Sequence, residues 1–248
     1  VSYNNEISRP ELTTLEAEVP HRIVVTVDGP AGVGKTTTAG SLAARLGFLL
    51  LDSGALYRVV ALHLMRNAIL PGSTPVPDST LKSLDLRMEL EVGSMRIYLG
   101  SEDVTGVIRE ERIGEAASVF SCRTEVRRVL LELQRSASSK WNLVAEGRDM
   151  GTVVFPHAQV KFFLTADLEE RSRRRYFELL DRGEHPELAI VKEEMLSRDN
   201  RDEFRSEAPL FKASDAVCID TTHLGPEQVL RCMMNNIEEK LQVKFSNP

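Results

Sequence analysis

Gly29-Pro30-Ala31-Gly32-Val33-Gly34-Lys35-Thr36 fits the spacing G-x-x-x-x-G-K-[ST]. In such a loop the glycines let the backbone wrap close to phosphate oxygens, and the following helix N-terminus adds a positive dipole. Lys35 can then reach β and γ oxygens, and the Thr36 hydroxyl can take Mg²⁺. The chemistry is nucleotide binding, but the motif alone does not separate ATPases, GTPases and small-molecule kinases. No base-reading N-K-x-D segment is present, and the D-x-x-G at Asp103–Gly106 follows a hairpin pattern, which argues against a GTPase. Glu146 and Asp220 each end an apolar run, so an ATPase with a water-activating acid stays open.

The other polar segments suit phosphoryl transfer to a small anion. Asp52-Ser-Gly-Ala-Leu-Tyr-Arg58 follows an apolar run and puts Ser53 and Arg58 at the carboxyl edge of a sheet, where ligands of doubly wound folds bind. Glu146-Gly-Arg-Asp149 follows another run at that edge; its other reading is a surface turn with a local ion pair. Arg198, Asp202 and Arg205 stand at i, i+4 and i+7, presenting cation, anion and cation on one helical face. Arg171, Arg173, Arg174 and Arg175 read either as a solvated face or as an arm carrying positive charge to phosphates.

These residues need a scaffold. Ile23–Val27 is a β-branched run, and Ala39, Leu42, Ala43 and Leu46 share one face of a helix over Thr36–Leu46. Phe48–Asp52, Leu143–Ala145, Val160–Leu164 and Ala216–Ile219 are four further buried runs separated by helical patterns, including Ala55–Asn67, Asp167–Asp181 and Leu188–Asp202. The alternation predicts an α/β fold with a five-stranded parallel sheet and helices on both faces. Leu84–Val92 and Met95–Leu99 instead alternate with period two around Gly93-Ser94, an antiparallel hairpin inserted in the α/β core. A last helix is expected over Glu227–Val243.

The chain has 248 residues, 42% of them hydrophobic, and a net charge of −6. That suits one sizeable domain and argues against disorder. No run approaches the roughly 20 apolar residues of a transmembrane helix. The acidic balance speaks against nucleic acid or an anionic membrane as partner. Yet 23 of the 31 cations are arginine, whose planar fork grips phosphate. Cys122, Cys218 and Cys232 form neither a zinc pattern nor a disulfide framework, so a reducing cytoplasm is expected. Residues 1–21 read as a flexible or trimmed extension.

Taken together, these segments resemble the bacterial-type cytidylate kinase family of P-loop nucleoside monophosphate kinases. The resemblance runs from about Arg22 to the C-terminal helix, and D-S-G-A-L-Y-R, Gly147–Pro156 and R-D-x-R-D carry it more specifically than the phosphate loop. It implies ATP and Mg²⁺, CMP and dCMP as acceptors in pyrimidine nucleotide metabolism, and a cytoplasmic monomer. It further implies one kinase domain over 22–248, with a core of 22–70 and 118–248, an acceptor-binding lobe over about 71–117 and a helical lid over about 171–187. Gly29 to Thr37 would hold the ATP phosphates, with Thr36 on the metal. Arg58 and Arg148 would grip the CMP phosphate, and Ser53 would line its site. Ser118, Arg127 and Asp149 would read cytosine beside Arg205, with Arg198 and Asp202 at the sugar. Arg171, Arg174 and Arg175 would form the lid, and Lys35, Arg58, Arg148 and Arg174 would act on the transferring phosphates. Glu146 departs from the family, where Asp is frequent. Other P-loop metabolite kinases, a nucleotide-dependent regulatory protein without catalysis, and a nucleic-acid-stimulated ATPase are the competing readings.

Overall fold

The computed structural model describes residues 22–72, 75–139 and 141–245. The expected extension over 1–21 lies outside the described residues. Five strands form one parallel sheet: β1 (Val24–Asp28), β2 (Leu49–Asp52), β6 (Leu143–Gly147), β7 (Val160–Thr165) and β8 (Val217–Asp220). Their spatial order is β2-β6-β1-β7-β8. The expected α/β sheet is therefore present, and its register sets Asp28 beside Gly147 and Asp52 beside Glu146. The segments that follow β1, β2 and β6, which carry the phosphate loop, D-S-G-A-L-Y-R and E-G-R-D, all leave from this one carboxyl edge.

Strand pleat sends alternate side chains to opposite faces, and both faces are covered. Val25 and Val27 of β1 and Val144 of β6 enter a core with α1 (Lys35–Leu46) and α8 (Pro226–Leu241). Val24, Leu143, Ala145 and Leu51 face the other way, toward α2 (Ser53–Arg66), α4 (Glu111–Phe120) and α5 (Thr124–Ala137). No strand face at the sheet centre meets solvent: Val25, Val27, Leu143 and Val144 are fully buried.

The inserted segment begins with α3 (Asp78–Lys82) and continues as the expected hairpin, β3 (Leu86–Glu91) and β4 (Ser94–Leu99), joined by a third short strand, β5 (Glu102–Asp103), that the alternation had not indicated. Leu86, Met88, Met95 and Ile97 are buried in the same core as α2, α4 and α5, and Val92 bridges to Leu49 of β2. The burial alternation fades toward the turn, where Val92 is exposed. After β7 come α6 (Leu168–Asp181) and α7 (Leu188–Phe204), which pack on each other through Leu179, Val191 and Met195.

Arg205 departs from the expected helical face. α7 ends at Phe204, and the Arg205 backbone is extended at φ −64, ψ 143. The chain turns back there because Leu210 N–H donates to the Asp202 carbonyl at 2.7 Å, replacing a further helical turn.

Candidate active site

The phosphate loop connects β1 to α1. Gly34 precedes the first turn of α1 in the left-handed region at φ 88, where a side chain would be strained. Gly29 is needed for another reason: a Cβ there would lie 2.2 Å from the Leu164 carbonyl oxygen of β7. Lys35 Nζ folds back over the loop and donates to Pro30 O at 2.5 Å. Burial, with Arg148 beside it, pulls the Lys35 ammonium well below its usual range. Burial pushes Glu146 up to about 7, with Asp52 adding to the rise and Lys35 opposing it. Thr36 hydrogen-bonds to Glu146, whose buried Oε1 has no partner among the described residues. Thr36 and that free oxygen are hard donors of the kind Mg²⁺ takes when substrate phosphates and water complete its shell.

Across one cavity of about 1150 Å³ lie the arginines. Its wall runs from Ala31–Thr38 past Ser53, Tyr57 and Arg58 to Ser118, Glu146–Asp149, Arg198, Asp202 and Arg205. Arg58 Nη1 donates to Ile108 O at 2.8 Å and to Glu110 O at 3.3 Å, so its guanidinium is fixed by the inserted segment. Burial, with Arg109 nearby, lowers Arg58 to about 10. Arg109 in turn pairs with Asp52 at 2.9 Å, while Asp52 caps α2 by accepting from Ala55 N.

Arg148 Nε donates to Asp202 Oδ2 at 2.8 Å. Burial pushes the Asp202 carboxyl up, but Arg148 and Arg198 outweigh it and hold the group below its usual range. Arg198 is lowered to about 10 by burial and by Arg148, and its Nε has no partner among the described residues. Asp149 is paired with Arg127 and lies 3.8 Å from Arg205, yet burial still raises its carboxyl. Ser118 Oγ accepts from Arg201 Nε at 3.1 Å.

The four α6 arginines part company, Arg173 pairing with Glu170 at the exposed surface. Arg171 is buried and ties Ala166 O, Ala31 O and Asp199 together, joining α6, the phosphate loop and α7. Arg174 faces the cavity while bonded to Glu170 and Thr221 O. Arg175 spans from α6 to Glu111 on α4.

The structure thus gathers Lys35, Thr36, Thr37, Ser53, Arg58, Ser118, Arg148, Asp149, Arg174, Arg198, Asp202 and Arg205 around one cavity. Arg127 stands behind Asp149 instead of on the wall, and Gly29 and Pro30 support the loop from β1. Sequence reasoning missed Asp28, Tyr57, Arg109, Arg201 and Thr221. Tyr57 sits within D-S-G-A-L-Y-R, with the Arg127 guanidinium 5.6 Å from its ring centre, and Arg201 within R-D-N-R-D. Arg109 and Thr221 belong to no motif and had no signal.

A phosphate-cradling loop at the carboxyl edge of a parallel sheet, facing a second nest of buried arginines, is the architecture of a P-loop kinase with an anionic acceptor. The family model described as cytidylate kinase matches residues 25–239, and the chain belongs to that family. It is 43% identical over 224 residues to a cytidylate kinase of Pasteurella multocida (strain Pm70), covering 90% of this chain and 99% of that one. It is also 43% identical over 219 residues to a cytidylate kinase of Citrifermentans bemidjiense, covering 88% and 94%. Among solved structures, an uncharacterized protein from Eubacterium ventriosum superposes with a TM-score of 0.50 at 12% identity, covering 88% of this chain and 99% of the other, a likeness of fold alone.

Proposed function

We propose that this chain transfers the γ-phosphoryl group of ATP to the phosphate of CMP, and of dCMP, giving the diphosphates. The observation that carries the reading is the single cavity joining the phosphate loop to Arg58, Arg148, Arg198 and Asp149. It offers one phosphate cradle and, opposite, a second set of cations with a buried carboxylate. Family membership supports the choice of acceptor.

The mechanism follows from charge. The acceptor oxygen belongs to a phosphate that is already largely ionised at neutral pH, so no side chain has to remove a proton. What remains is in-line alignment and neutralisation. In this reading Gly29–Thr37 hold the donor phosphates, and Lys35 aligns the γ group. Arg58 and Arg148 orient the acceptor phosphate, with Ser53 beside it, and Arg174 answers the charge in transfer. Ser118, Arg127, Asp149 and Arg205 read the base, Arg127 by orienting Asp149, while Arg198 and Asp202 hold the sugar. Mg²⁺, when bound through Thr36 beside Glu146, supplies charge neutralisation at the donor phosphates. The segment over about 71–117 forms the acceptor lobe and that over about 171–187 the lid. The setting proposed is the cytoplasm, as a monomer acting in pyrimidine nucleotide metabolism. Free Cys122, Cys218 and Cys232 suit a reducing compartment.

The test is an acceptor screen with CMP, dCMP, UMP, AMP and shikimate, reading ADP release. CMP and dCMP should lead by kcat/KM. Preference for AMP or shikimate would replace the reading with another P-loop kinase, and nucleotide binding without transfer to any acceptor would replace it with a regulatory protein.

A further inference from the structure

Asp28 is the last residue of β1 and is buried. Its two carboxylate oxygens are each taken by one backbone donor: Met150 N–H on Oδ1 at 2.9 Å and Gly151 N–H on Oδ2 at 2.7 Å. In the chain, Asp28 immediately precedes Gly29, where the phosphate loop starts, and Met150 immediately follows Arg148 and Asp149. One side chain therefore stands a single peptide away from each half of the site. We propose that Asp28 is a positioning residue that fixes the spacing between the donor loop and the acceptor loop for in-line transfer. The inference rests on the reading that Gly29–Thr37 hold the donor and Arg148 and Asp149 the acceptor.

The surroundings leave this loop little room to slide. A Cβ at Gly151 would lie 2.8 Å from Thr26 Oγ1, 3.2 Å from Lys161 Cδ and 3.3 Å from Asp28 Oδ2. One at Gly147 would lie 2.5 Å from Ser53 Oγ and 2.9 Å from Met150 Cγ. The loop is thus pressed onto the sheet edge with the Asp28 carboxylate as its hydrogen-bonded seat. Burial pushes the Asp28 carboxyl up to about 6, against the two amide donors. It is still mainly ionised at neutral pH, the form that accepts at both oxygens. With both oxygens committed to backbone donors, its part is geometric.

Asp28→Asn keeps the size but turns an NH₂ toward one of the two amide donors, so the acceptor loop must shift. In-line transfer is steep in geometry, and a displacement of about 1 Å can cost on the order of 100-fold. The experiment is steady-state kinetics of Asp28→Asn and of Gly151→Ala, whose Cβ would crowd Thr26 Oγ1 and Asp28 Oδ2 and so push the same loop off its seat. Folding is checked by near-UV circular dichroism, and ATP hydrolysed per acceptor phosphorylated is counted. The expected result is a kcat lower by roughly 100-fold with both KM values within about threefold. More γ-phosphate should also be lost to water per transfer. A folded variant with kcat within threefold of wild type, or a loss confined to KM, would overturn the inference. If the first variant does not fold, the second decides by the same readouts. If the acceptor screen selects another acceptor, the functional reading fails alone, and the same kcat-against-KM comparison with that acceptor still decides the role of Asp28.

Discussion

The position a Cβ would take on Gly114 lies 2.6 Å from Arg58 Nη2 and 2.8 Å from Arg58 Cζ, so the bare backbone of α4 is the seat of the guanidinium. Gly114→Ala would displace the far end of a flexible side chain and leave the helix in place. Alanine is the better helix former by up to about 1 kcal/mol. Thermal stability should therefore hold or rise, while KM for CMP rises roughly 10- to 100-fold, the loss of a hydrogen bond to a charged group worth about 1.5–3 kcal/mol. An unchanged KM in the folded variant would mean that Arg58 does not bind the acceptor phosphate from this seat.

Ser118, placed at the base in the proposed reading, is held by a contact that spans 83 positions of sequence. Arg201 Nε donates to Ser118 Oγ, while its Nη1 holds Ser197 Oγ at 2.9 Å. With one lone pair of Ser118 so occupied, its hydroxyl proton is directed elsewhere. Arg201→Met removes the donor and keeps the length. The ratio of kcat/KM for CMP over UMP should fall by roughly five- to tenfold, the worth of about one hydrogen bond. Arg201→Lys should recover part of it. Equal ratios in wild type and Arg201→Met would remove Arg201 from base selection.

Legibility in the sequence followed contact range. The phosphate loop could be read because its chemistry lies within eight consecutive residues and the strand and helix on either side carry their own periodicity. Both sheet faces could be read from β-branched runs between helices. Asp28 was visible only as a strand end, since its partners are 122 and 123 positions away. Ser118 and Arg127 came from resemblance alone, because α4 and α5 give no local sign of which residue turns to the cavity, as Ser118 does, or backs the wall through Asp149, as Arg127 does. The placement of Arg205 on a helical face failed for a tertiary reason: Leu210 captures the Asp202 carbonyl, and Arg205 Nε then finds Ala208 O at 2.7 Å.

Stability should carry the signature of Asp28. Its carboxyl lies near 6 in the folded protein, against 3.8 for the free group. The native state thus holds this proton more tightly than the unfolded chain, and stability from this source is complete below about pH 4 and lost as pH rises through 6. The span corresponds to about 3 kcal/mol. Between pH 7 and pH 4, wild type should gain on Asp28→Asn by up to that amount in paired urea unfolding curves. A difference that stays constant with pH would show that burial does not perturb this carboxyl.

Asp202 lies among three guanidiniums, bonded to Arg148 and with Arg205 Nη1 at 3.9 Å, while Arg198 and Arg148 both act on its charge. Removing the anion leaves buried cations facing one another, the situation in which breaking a buried pair costs about 3–5 kcal/mol. Asp202→Asn should therefore lower the unfolding free energy by that order. Because the cavity arginines would then lack their internal counter-charge, inorganic phosphate should raise Tm more in Asp202→Asn than in wild type at equal concentration. Sodium chloride at matched ionic strength separates specific anion binding from screening, which reaches buried pairs weakly. Equal phosphate responses in the two proteins would mean that Asp202 does not stand in for a ligand anion among these arginines.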